Sequence, residues 1–100
     1  MQGNLRRALA LVRRRTFRGP PLRVVLYEKE GCHLCGEAYR ALRRVGLDRP
    51  LEIERVRTDE DRYVLRVPVL AVGGEELDAA GLEDGAIARW LRSVTLDAGS

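Results

Sequence analysis

Cys32 and Cys35, with His33 and Leu34 between them, are the residues of this 100-residue chain best suited to chemistry. A cysteine at the first turn of a helix feels the positive end of the helix macrodipole and the unpaired backbone N–H groups, and both favour thiolate. A partner three residues on lies one turn along the same face, within reach of a disulfide. Cys32 is then the accessible nucleophile, and Cys35, deeper in the helix, resolves the mixed disulfide. The plain alternative is a pair of ordinary buried thiols. Zinc knuckles share this spacing, but the chain has no second pair, and two cysteines with one histidine cannot close a four-ligand site. No bound metal is expected; an iron–sulfur cluster shared between two chains is the remaining metal reading. His33 beside the nucleophile stabilises a thiolate when protonated, or it is a solvent-facing loop histidine. Lys29, three residues before Cys32, is either a partner for a carboxylate or thiolate or an exposed ammonium.

Such a pair needs a strand to deliver it and a helix to receive it. Leu22 to Tyr27 is a β-branched apolar run of strand length, broken by Glu28 to Gly31. From Cys32 the period turns helical: Leu34, Ala38, Ala41, Leu42 and Val45 form one apolar face, with Gly46 following as the C′ residue. Leu51 to Arg57 alternates as a second strand, although its phase slips once before Val56. Thr58 to Asp61 is an acidic turn that starts a short helix through Leu65. Val67 to Val72 reads as a third strand, with Pro68 near its beginning or at an edge. Gly73-Gly74 signals a hairpin into Glu75 to Asp78. Ile87, Trp90, Leu91 and Val94 share the face of a closing helix from about Glu83 to Val94, with Trp90 in the core.

Composition bounds the rest. With 45% apolar and 33% charged residues the chain reads as a soluble globular domain. No apolar run approaches the ~20 residues of a membrane-spanning helix. The stretch from Ala8 to Val12 is shorter than the roughly 7–15 residues of a signal-peptide core, so no secretory leader is expected. Residues 1–23 hold seven arginines and no acid, which leaves −4 on the remainder of a chain whose net charge is +3. The basic excess therefore belongs to an N-terminal arm, and a broad nucleic-acid face on the body is not expected. Leu5, Ala8, Leu9 and Val12 give the arm a narrow apolar stripe, ended by Gly19-Pro20-Pro21. Contact with nucleic acid or an anionic membrane is its sharper reading; an added helix on the domain or a loose extension is the plainer one.

The segment Tyr27-Glu28-Lys29-Glu30-Gly31-Cys32-His33-Leu34-Cys35 resembles the active-site segment of glutaredoxin-like proteins in the thioredoxin superfamily. It is especially similar to small bacterial members with Gly-Cys-His-Leu-Cys. Arg66-Val67-Pro68-Val69-Leu70 is similar to the family's Val-Pro segment, and Gly73-Gly74 and Ala88-Arg89-Trp90-Leu91 extend the likeness over roughly residues 22–93. Two departures stand out: Arg66 replaces a threonine, and Asp78 to Asp84 replaces the Gly-Gly-(Cys/Ser)-Asp segment that holds the γ-glutamyl end of glutathione. Lys29 matches the family lysine.

The resemblance implies an α/β, thioredoxin-like fold of glutaredoxin type: a four-stranded mixed sheet flanked by helices, with an extra N-terminal helical arm. The expected division is an arm at 1–20, the domain at 21–95 and a tail at 96–100. Pro68 is expected in the cis form facing the cysteines, with the Val67 backbone presented to a substrate disulfide. The implied activity is that of a cytoplasmic, monomeric thiol–disulfide oxidoreductase. Cys32 and Cys35 would be its catalytic residues, and Lys29, His33, Val67 and Pro68 its substrate-binding residues. Its partners would be disulfide-containing or glutathionylated proteins and a glutathione or thioredoxin-type reductant. Glutathione is a co-substrate in this reading, and no cofactor is bound. A thioredoxin-like binding module without turnover, using the Val67-Pro68 surface or the arm, is the alternative.

Overall fold

Alternation of apolar residues along short strands, set between two helices with one apolar stripe each, dictates a layered arrangement. A computed structural model describes residues 20–99, with side chains as far as residue 95. The elements run β1 (Leu22–Glu28), α1 (His33–Val45), β2 (Leu51–Arg57), α2 (Asp61–Val64), β3 (Val69–Val72), β4 (Glu75–Asp78) and α3 (Asp84–Gly99). Of the arm expected at 1–20, residues 1–19 lie outside the described residues.

The sheet order is β2-β1-β3-β4, with β1 parallel to β2 and antiparallel to β3, and β3 antiparallel to β4. The parallel pair requires a crossover, which α1 supplies; the Gly73-Gly74 turn, with Gly73 at φ +60°, joins β3 to β4 as a hairpin. This is the four-stranded mixed sheet with flanking helices that the sequence resemblance implies.

Strand alternation divides the interior in two. Val24, Leu26 and Leu70 meet Ala38, Ala41, Leu42 and Val45 of α1 and Ile87 and Leu91 of α3 in the main core. Burying one such large aliphatic side chain contributes about 1.5–3 kcal/mol, so this layer dominates stability. Asp84 at the start of α3 accepts two hydrogen bonds from Arg44 of α1, at 2.7 and 3.0 Å, which ties the two covering helices together. A smaller cluster of Cys35, Tyr63, Val67 and Val69, with Tyr27 and Cys32 at its border, forms apart from it.

Four local expectations are corrected. The apolar stripe of α1 runs through Cys35 rather than Leu34, so Leu34 falls at its border and is exposed. Gly46 is right-handed, at φ −64° and ψ −14°. The glycine is therefore not there to form a left-handed cap. Trp90 packs against the core from its rim, half-buried. Strand β3 begins at Val69, leaving Val67 and Pro68 in the segment before it.

Candidate active site

β1 ends at Glu28, and the chain must turn back within a few residues to enter α1. Gly31 makes that reversal at φ +73°, a conformation that an L side chain strains to adopt. Cys32 follows as the N-cap of α1, extended at φ −89° and ψ 105°, and its Sγ accepts a hydrogen bond from the Cys35 N–H at 3.1 Å. A sulfur thus occupies the place where a Ser or Asp oxygen usually satisfies the free amides of a helix start. The two cysteines are joined as a disulfide, with Cα atoms 5.2 Å apart. Their surroundings differ: Cys35 is 2% exposed, whereas Cys32 is only half-buried. The outer sulfur is open to a reagent, and the inner one is reached through it.

The Val67–Pro68 peptide is cis, and both residues are buried. Val67 packs in the same cluster as Cys35, with Cys32 at its border. Backbone hydrogen bonds hold the segment on both sides: Val67 N–H donates to the Tyr63 carbonyl, and Ala79 N–H to the Pro68 carbonyl, each at 2.9 Å.

Side chains from β4 brace this segment further. The Tyr63 ring stacks on Tyr27, with centroids 4.2 Å apart and planes 12° from parallel, in the cluster that includes Cys35 and is bordered by Cys32. Its hydroxyl donates to Glu76 Oε2 at 2.7 Å. That hydrogen bond, aided by burial and by Tyr27, pushes the phenol up to about 12. The same bond, with help from Arg66, holds the Glu76 carboxyl below its ordinary value. Arg66 donates to Asp78 Oδ1 from Nε and Nη2 at 3.0 and 2.8 Å, and to Glu76 Oε1 at 3.3 Å. Arg66 therefore fastens the approach to Pro68 onto β4.

Lys29 and His33 lie on another side of the cysteines. With Cys32, Cys35, Gly31, Arg55 and Arg57 they line an open groove of about 410 Å³. Lys29 is exposed, and His33 Nε2 lies 3.2 Å from Glu37 Oε1, one turn along α1. Glu28, a buried carboxylate at the groove's edge, accepts from Arg55 Nε at 3.0 Å and Nη2 at 2.8 Å. The six residues singled out by sequence thus divide. Cys32, Cys35, Lys29 and His33 share the groove; Val67 and Pro68 do not line it, and Val67 meets the cysteines through the buried cluster.

Sequence reasoning passed over Tyr27, Tyr63, Glu76 and Asp78, and saw Arg66 only as a departure. One signal was present: Glu76 and Asp78 are two apart on a strand and must share a face. Among the described residues, no group of three or more His, Cys, Asp or Glu is placed to hold a metal ion, and no helix is long and apolar enough to cross a membrane.

Comparison with known proteins agrees with this geometry. Residues 23–92 match the family model described as Glutaredoxin-like domain (DUF836), a span that contains both cysteines, Pro68 and every strand but the first residue of β1. No curated protein matches the chain.

Proposed function

The chain belongs to the glutaredoxin-like domain family, and from that premise we propose that it is a thiol–disulfide oxidoreductase in which Cys32 attacks and Cys35 resolves. The observation that carries the reading is the asymmetry of the pair: a half-buried sulfur capping the helix and a buried one three residues on. In the reduced protein the Cys35 N–H that now reaches Cys32 Sγ is placed to stabilise a thiolate, together with the other free amides of the first turn.

The Cys32 thiolate displaces one sulfur of the substrate disulfide, which leaves as a thiolate and takes a proton from solvent. Cys35 then loses its proton and attacks Cys32 Sγ, and the second substrate thiol departs. Two electrons have moved to the substrate, and the protein holds the Cys32–Cys35 disulfide. Two equivalents of glutathione, or one dithiol reductant, reverse that bond and restart the cycle. The Val67 backbone beside the cis bond is the proposed rest for the substrate chain. Lys29, with Arg57 in the same groove, is the proposed contact for a substrate carboxylate. His33 adds positive charge near Cys32 when protonated, shared with Glu37. Reduction of disulfides belongs in a reducing compartment, so the cytoplasm is the proposed location. The substrates are proposed to be disulfide-bonded or glutathionylated proteins.

Alkylation of the reduced protein by iodoacetamide, followed against pH, tests the assignment. One fast-reacting thiol should titrate below the ~8.5 of an ordinary cysteine and disappear in Cys32→Ser. A fast thiol that survives in Cys32→Ser, or a Cys32 titrating at or above that value, contradicts it.

A further inference from the structure

An opening of about 430 Å³, mainly apolar in its surface, lies between the end of α1 and one face of α3. Val45 and Leu91 are buried at its base, with Ala88 half-buried beside them. Asp48, Asp84, Arg49 and Arg92 also line it, so its own charges balance. None of these residues lines the groove at Cys32 and Cys35. An apolar cavity of about 150 Å³ accepts one benzene, so roughly three aliphatic side chains fit in this one.

The place where the chain enters the domain points to the occupant. Leu22 opens β1 beside Leu51, and its N–H donates to the Pro50 carbonyl at 3.1 Å. Pro50 follows Arg49, which lines the opening. Pro20 lies within about 7 Å of Leu22 along the chain, so residues 1–19 join the domain at the edge of the opening. Those residues carry the stripe Leu5, Ala8, Leu9 and Val12, three of them large. Over Leu5 to Val12 a helix advances about 10 Å, as α3 does from Gly85 to Arg92. Charge favours the same pairing. Residues 1–19 hold six arginines and no acid, which leaves −3 on residues 20–100. A body of that sign attracts the arm and repels a nucleic acid or an anionic bilayer. We propose that residues 1–19 dock on their own domain, with Leu5, Leu9 and Val12 seated between α1 and α3 at Val45, Ala88 and Leu91. The arm then covers an apolar opening and leaves the cysteine groove free.

The six arginines make trypsin the reagent of choice. Full-length wild type and Leu9→Ser/Val12→Ser, which alters nothing in residues 20–100, are digested briefly under native conditions. Cleavage within residues 1–19 is followed by intact-mass spectrometry, and synthetic peptides of residues 1–19 with and without the substitutions supply the intrinsic rates. Cleavage tracks the population of undocked arm, so after this correction the variant should be cut about tenfold faster or more. Ala88→Glu, with its circular dichroism unchanged, should speed the same cleavages; should it unfold, the arm variant decides alone. Equal corrected rates for wild type and the arm variant overturn the proposal. So does protection that fades on dilution, which would seat the arm on a second copy. A wild-type arm cut at the peptide's rate, but protected by duplex DNA or phosphatidylglycerol vesicles, overturns it in favour of an anionic surface.

Discussion

Successive residues of β1 and β3 serve two different interiors. Leu26 faces its cross-strand partner Leu70 under α1 and α3, whereas Tyr27 and its partner Val69 face Tyr63, Val67 and the cysteines. The buried residues of the first interior are all aliphatic, with Tyr39 and Trp90 packed against its rim. The second contains a phenol and two sulfurs, and directional bonds to β4 hold it in place: Tyr63 to Glu76, and Arg66 to Glu76 and Asp78. Aliphatic packing tolerates rearrangement at modest cost, but a sulfur that must meet a substrate in line needs its neighbours fixed. The comparison therefore assigns stability mainly to the aliphatic cluster and the support of the cysteine pair to the smaller one.

Single substitutions should separate the two. The largest effect is expected for Cys32→Ser, which should lower disulfide reduction by about a thousandfold or more, because no other sulfur stands in the outer position. Its urea unfolding midpoint, measured beside reduced wild-type protein, should change little. Leu42→Ala should do the reverse. It opens a cavity in the aliphatic interior and should cost about 2–5 kcal/mol in urea unfolding, while activity per folded molecule stays within about twofold. A Leu42→Ala protein of normal stability, or one inactive although folded, would erase the division.

The smallest effect tests the bracing of the second interior. The Tyr63 phenol is raised to about 12 in the folded protein against 10.0 as its ordinary value. A raised folded value contributes stability that is complete below the unfolded value and is lost as pH climbs through the folded one. Wild-type protein should therefore lose stability between pH 10 and about 12 more steeply than Tyr63→Phe does. The lowered Glu76 has the opposite sign: its contribution is present above the ordinary carboxyl value and fades as pH falls below it. Identical pH profiles for wild type and Tyr63→Phe in urea unfolding would show that the hydrogen bond braces nothing.

Much of this arrangement is legible in the sequence because it is written in short-range periods. The order of strands and helices follows from alternation and helical spacing, and the cysteines announce themselves by spacing at a strand-to-helix junction. What escaped depends on contacts between distant residues. The phase slip in β2 is one case. Arg55 occupies the third place on the face of Leu51 and Ile53, because its guanidinium covers the Tyr39 ring at 3.9 Å and pairs with Glu28. A long basic side chain with an apolar stem can fill a position that pattern reading reserves for a hydrophobe. The Tyr27–Tyr63 stack joins residues 36 positions apart and leaves no local trace. Arg66 was visible only as a mismatch to threonine; its bonds to β4 supply the reason for an arginine there. Leu65 read as the end of a short helix, and nothing in its spacing signals that its side chain points into solvent.

The central claim is that the two sulfurs have unequal roles, and trapping tests it most directly. Reduced Cys35→Ser and Cys32→Ser proteins are incubated with oxidised glutathione or a disulfide-bonded protein and analysed by intact-mass spectrometry. Cys35→Ser should accumulate a covalent adduct on Cys32, because the outer sulfur still attacks and no inner thiol releases the product. Cys32→Ser should trap almost none, since Cys35 is 2% exposed. Equal trapping by the two variants, or adducts chiefly on Cys35, would contradict the account.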